Sequence, residues 1–106
     1  MDIKEVLERY NELCEDNDWQ VYHTPKNLAS AVCVSASKTM EHFQWVTEED
    51  SLSVGLIPER KQQISGEITE TFFYLLALSN KLGIDLEAAI LEKAERDREQ
   101  HVGAPE

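Results

Sequence analysis

The chain has 106 residues, enough for a single domain, 1–106, whose own core is limited by its size. Its formal net charge is −11, from 21 acidic residues against 10 basic ones, which argues against nucleic-acid binding through a general phosphate-neutralising surface. No apolar run approaches the roughly 18–20 residues needed to cross a bilayer, so no membrane partner is expected. Met1 to Glu5 turns amphipathic at once instead of forming a leader, and the expected location is cytoplasmic.

With only 4 glycines and 3 prolines as breakers, and little period-2 alternation, the pattern predicts an all-α fold. A first helix is expected from about Asp2 to Glu15, with Ile3, Val6, Leu7, Tyr10, Leu13 and Cys14 on one face. Glu15-Asp16-Asn17-Asp18 reads as a turn, and Trp19 to His23 as a connector. Thr24-Pro25 is a helix start: a capping hydroxyl followed by proline at the first helical position. That second helix is expected to reach about Trp45, with Leu28, Ala31, Val32, Ala36, Thr39, Met40 and Phe43 inside. Val46 to Ile57 reads as an acidic loop. Pro58 opens a third helix to about Leu82, and Gly83 suits its C-terminal cap. Asp85 then caps a fourth helix carrying Leu86, Ala89, Ile90 and Lys93-Ala94. The tail, about 102–106, is expected to fray.

Glu67 and Glu70 stand one helical turn apart, just before an apolar stretch from Phe72 to Leu78. Ile68, Phe72 and Leu75 share a face expected to point into the core, which places both carboxylates at or near its edge. Carboxylates there need a partner, and a divalent cation is one candidate. Solvated glutamates favoured by the helix dipole are the other reading. Tyr74 lies one turn beyond Glu70. Trp45 and Trp19 each suit stacking on a flat ligand or closing the end of a core. Cys14 and Cys33 lie in apolar-periodic stretches and read as two buried thiols in a reducing compartment. No zinc spacing, calcium loop, phosphate loop or nucleophile elbow is present, and Ser35 and Ser37 lack a recognisable base.

Taken in order, several segments resemble a known family. They are Asp18-Trp19, His23-Thr24-Pro25-Lys26-Asn27-Leu28, Glu41-His42-Phe43-Gln44-Trp45, Glu67-Ile68-Thr69-Glu70, Tyr74-Leu75-Leu76-Ala77-Leu78 and Ile84-Asp85-Leu86 through Lys93. The family is the MazG-like all-α nucleoside triphosphate pyrophosphatases, of the small dCTP-pyrophosphatase type. The resemblance implies a four-helix MazG-like bundle completed by oligomerisation, as a homodimer or homotetramer. It also implies Mg²⁺-dependent cleavage of a nucleoside triphosphate, a pyrimidine such as dCTP favoured, to monophosphate and pyrophosphate.

In that family four carboxylates hold the metal, a Glu-x-x-Glu on the second helix and a Glu-x-x-Asp on the third. By resemblance the second pair falls on Glu67 and Glu70, as metal ligands and catalytic residues. Nucleotide contacts fall on Trp19, Trp45, Tyr74 and Lys93, with Asp97 where an asparagine helps and His23 inside the His-Thr-Pro motif. The first pair departs: its positions carry Ser35 and Lys38. Glu41, one turn beyond Lys38, is the remaining carboxylate candidate on that helix. A lysine there would repel a cation, and could instead neutralise Glu67 and Glu70 or meet a triphosphate. Two carboxylates are too few for clustered Mg²⁺ ions, so the expected homologue has a depleted metal site and activity that is weak or lost. The alternative is a non-catalytic nucleotide-binding or protein-interaction helical bundle.

Overall fold

The computed structural model describes residues 1–19 and 23–101. Those residues contain no strand. Five α-helices run in order: α1 Ile3–Asp16, α2 Pro25–Glu41, α3 Glu48–Ser51, α4 Pro58–Lys81 and α5 Leu86–His101. A 3-10 turn at Val54–Leu56 joins α3 to α4. The expected tail at 102–106 lies outside the described residues, as do the middle of the Trp19–His23 connector and Tyr22.

The caps follow local chemistry. Asp2 and Thr24 accept backbone N–H groups of Glu5 and Asn27 at the starts of α1 and α2. Asp85 accepts from the Ala88 N–H at 3.1 Å to open α5. Gly83 adopts φ +69, the left-handed conformation that closes α4, and Ile84 N–H returns to the Ser79 carbonyl. Asp18 takes φ 54 in the turn expected there, a conformation that aspartate tolerates better than most residues.

Two boundaries differ from expectation. α2 stops at Glu41 because His42 and Phe43 switch to bonds three residues back, tightening the chain into turns. Arg60 of α4 donates to the freed His42 carbonyl at 2.6 Å and secures that end. The segment read as a loop contains α3, whose start is capped by Thr47 accepting from Asp50 N–H. Acidic residues at its first positions suit the helix dipole. Val54 of the following turn is buried.

The core is small. Tyr10, Cys14, Leu28 and Ala77 form its centre, with Phe73, Tyr74 and Leu78 packed against it. α2 runs antiparallel to α4, since His42 meets Glu67 while Ser35 meets Thr71 further along. The stripe of α2 facing α4 is therefore Leu28, Ala31, Val32, Ser35, Thr39 and His42, a seven-residue spacing. Ala36 and Met40, expected inside, fall one position off that stripe and are exposed.

The buried stripe on α4 also differs. Ile68 is 56% exposed and Leu75 40%, whereas Leu76 and Ala77 are buried. α1 and α2 cover the sides of α4 that carry Phe73, Ala77 and Thr71, and leave the Ile68–Phe72–Leu75 side open. Cys33 is exposed, not buried, and both cysteines are free thiols. α5 lies almost wholly exposed, Ile90 and Leu91 included. The radius of gyration is 16.7 Å, against about 13 Å for a compact chain of about this length.

Candidate functional site

A cavity of about 630 Å³ opens between α1 and α4. Tyr10 and Leu13 line it from α1, Trp19 from the turn after α1, and His23 from the residues leading into α2. α4 supplies Gly66, Thr69, Glu70, Phe73 and Tyr74. The size lies in the usual range for small-molecule pockets, and the wall is chiefly aromatic. Tyr10 stacks on Phe73 with ring centroids 4.9 Å apart and on His23 at 6.1 Å. Cys14 Sγ lies 3.9 Å from His23 Nδ1, behind this stack.

Tyr10, Tyr74 and His23 of the wall are each shifted toward the neutral form. Burial pushes the Tyr10 phenol well above its ordinary value, and its hydrogen bond with Cys14 adds to that. Tyr74 is raised by burial and then by the Glu70 carboxylate, to which it is hydrogen-bonded. His23 is lowered, by burial first and by the charge of Lys81 second. The sign for Tyr10 is that of a group whose folded pKa exceeds its unfolded one. Its contribution to stability is present below pH about 10 and is lost as pH rises beyond it. Urea midpoints are thus expected to fall between about pH 9.5 and 11, with a shallower fall in Tyr10→Phe. A wild-type midpoint flat across that range would contradict the burial of this phenol. His23 carries the opposite sign: its lowered pKa takes stability away as pH drops below about 6.5.

Of the residues singled out in the sequence, Trp19, His23, Glu70 and Tyr74 come together at this cavity. Glu67 lies on the neighbouring side of α4, where its Oε2 stands 2.6 Å from His42 Nε2. That oxygen is buried and receives no hydrogen bond of good geometry, so the contact is an ion pair only while the imidazole is protonated. Lys38 is exposed and takes part in no ion pair among the described residues. The side chain facing Glu67 is His42, not Lys38. Glu41 is exposed at the end of α2. Trp45 is 89% exposed and away from the cavity. Lys93 and Asp97 pair with each other at 2.9 Å on the surface of α5.

Tyr10, Leu13, Phe73 and His42 were not foreseen as site residues. Tyr10 and Leu13 looked like ordinary core positions on an amphipathic helix. The signal for His42 was its spacing, seven residues after Ser35 on the stripe facing α4.

The side chains present do not fit a cluster of Mg²⁺ ions. Ser35 is 2% exposed and bonded through its hydroxyl to Thr71 Oγ1 at 2.7 Å. Thr71 in turn donates to the Glu67 carbonyl. At the two positions that the resemblance pairs with Glu67 and Glu70, Ser35 is thus closed onto Thr71 and Lys38 is exposed. Among the described residues, no three His, Cys, Asp or Glu side chains converge as metal ligands.

No family model matches the chain. Over 99 residues, 93% of its length, it is 26% identical to dCTP pyrophosphatase 1 of Homo sapiens and 25% identical to that of Bos taurus. In fold it matches a pyrophosphatase of Archaeoglobus fulgidus with a TM-score of 0.84 and 28% identity, covering 95% of this chain and 93% of that one. The chain resembles the MazG-like pyrophosphatases in sequence and in fold. It spans 58% of the length of the human relative and 59% of the bovine one. The aromatic cavity and the Glu67–His42 pair lie on adjoining sides of one helix, α4.

Proposed function

We propose that this protein is a nucleoside triphosphate pyrophosphohydrolase homologue that keeps a nucleotide pocket, with pyrimidines such as dCTP favoured, while its turnover is weak or lost. The observation that carries the reading is the aromatic cavity beside Glu70, in a chain whose relatives are dCTP pyrophosphatases. Trp19, Tyr10 and Tyr74 offer faces on which a base stacks. Glu70, whose carboxylate raises the Tyr74 phenol's pKa after burial, is a hydrogen-bond acceptor in the wall. Mg²⁺ is bound weakly or not at all, because Glu67 and Glu70 lack the two partner carboxylates that Ser35 and Lys38 replace.

A second copy completes the molecule in this reading, as a homodimer or homotetramer. Support comes from the open Ile68–Phe72–Leu75 side of α4 and the exposed apolar residues of α5. Trp45, Lys93 and Asp97 would then reach a nucleotide only across such an interface. Among the described residues no helix is long and apolar enough to cross a membrane, and the two free thiols suit a reducing, cytoplasmic setting.

The non-catalytic alternative draws on the His42–Glu67 contact, which offers Glu67 a partner other than a metal. Pyrophosphate release from each dNTP with Mg²⁺ or Mn²⁺ separates the two. Turnover well below about 1 per second is expected; a rate at or above that value would defeat the claim of lost activity.

A further inference from the structure

We infer that the cavity between α1 and α4 is selective for an uncharged nucleoside over the corresponding triphosphate. This rests on the nucleotide-pocket reading and reverses its usual preference for phosphate.

The first ground is charge. Among the described residues that line the cavity there is no lysine or arginine, and the one permanently ionisable acid is Glu70. Lys81 acts on His23 from an exposed position at the end of α4, and does not line the wall. The His23 imidazole itself favours its neutral form. The chain as a whole carries −11. A triphosphate bound here would bring several negative charges toward a carboxylate in an acidic protein, with no lysine or arginine among the described wall residues to offset them.

The second ground is where the other cations went. Lys38 points to solvent on α2, and Lys93 is engaged by Asp97 at 2.9 Å. The metal that would ordinarily neutralise a triphosphate lacks its donors, since Ser35 is closed onto Thr71. What remains favourable is the interior: stacked Tyr10 and Phe73, Trp19 at the rim, and a carboxylate that accepts hydrogen bonds from an amino-bearing ring.

Gly66 gives a clean way to test the cavity. A Cβ built there meets nothing within 4 Å, and the residue lies in the middle of α4. Gly66→Leu should therefore fold at least as well as the parent, because leucine favours a helix interior over glycine. It also places a branched side chain in the cavity mouth.

The experiment is calorimetric titration of the full chain with deoxycytidine, dCMP and dCTP, each with and without Mg²⁺. Affinity is expected to fall along that series, with dCTP about tenfold or more weaker than deoxycytidine. Added Mg²⁺ should not reverse the order, and raised salt should narrow the gap. Gly66→Leu should abolish deoxycytidine binding while its thermal midpoint holds or rises. Equal affinities, or dCTP binding tightest with Mg²⁺, would overturn the selectivity yet leave the nucleotide pocket standing. Binding of none of the three would overturn both, and so would Gly66→Leu binding deoxycytidine like the parent.

Discussion

Ser35→Glu combined with Lys38→Glu is expected to make the stability of this protein depend on a divalent cation. Ser35 is sealed in the α2–α4 interface against Thr71, so a carboxylate at that position enters a space with no charge partner. An unpaired buried charge costs about 3 kcal/mol or more. For a domain of this size that corresponds to a thermal midpoint lowered by roughly 10–20 °C in metal-free buffer. If Ser35 and Lys38 occupy the positions that the resemblance assigns, the new pair would join Glu67 and Glu70 as a four-carboxylate set. Millimolar Mg²⁺ should then recover much of the lost midpoint, whereas the parent protein should respond little. If the variant loses stability and Mg²⁺ restores none of it, the placement of Ser35 and Lys38 at ligand positions is wrong. Adding His42→Leu should strengthen the response to Mg²⁺, because the imidazole no longer competes for Glu67.

Leu28→Ala is expected to be the most damaging simple truncation in the core. Leu28 is 1% exposed and packs among Tyr10, Cys14 and Ala77, where α1, α2 and α4 meet. Removing its branched side chain takes away transfer free energy and leaves a void, together about 2–5 kcal/mol. That is a large share of the roughly 5–15 kcal/mol by which domains are stable. Urea denaturation should show a clear drop in midpoint with little change in slope. Met40→Ala makes the comparison informative. Periodicity alone assigns Met40 to the same interior, but it is exposed, so its truncation should stay within about 0.5 kcal/mol. Equal losses at the two positions would mean that α2 is rotated from the orientation described, or that Met40 is covered by a second copy. Repeating the measurement across protein concentrations separates those two cases, since only the second depends on association.

Much of the secondary structure was legible because its signals are local. Thr24-Pro25, Pro58, Gly83 and Asp85 mark helix ends through bonds within a few residues, and each stands where it was read. The short helix α3 was missed although Thr47 followed by Glu-Glu-Asp carries the same kind of signal. Its brevity and acidity made it look like loop. The end of α2 was misplaced for a different reason. Nothing within Met40 to Trp45 ends a helix by itself; the chain turns there, and Arg60 of α4 secures the exposed carbonyl.

The residues alone determined that the chain is helical and acidic, and that it resembles the MazG-like pyrophosphatases. These are matters of side-chain identity, spacing and capping, which act over one or two turns. Only the tertiary structure decided which stripe of each helix is inside. A rotation of about 100° per residue separates Ser35 from Ala36 or Leu75 from Leu76, and both members of each pair have side chains able to sit in a core. It also decided that Tyr10 and Phe73 face a cavity, and that His42, seven residues beyond Ser35, meets Glu67. Such contacts join residues far apart in sequence, and they exist only once α1, α2 and α4 have packed.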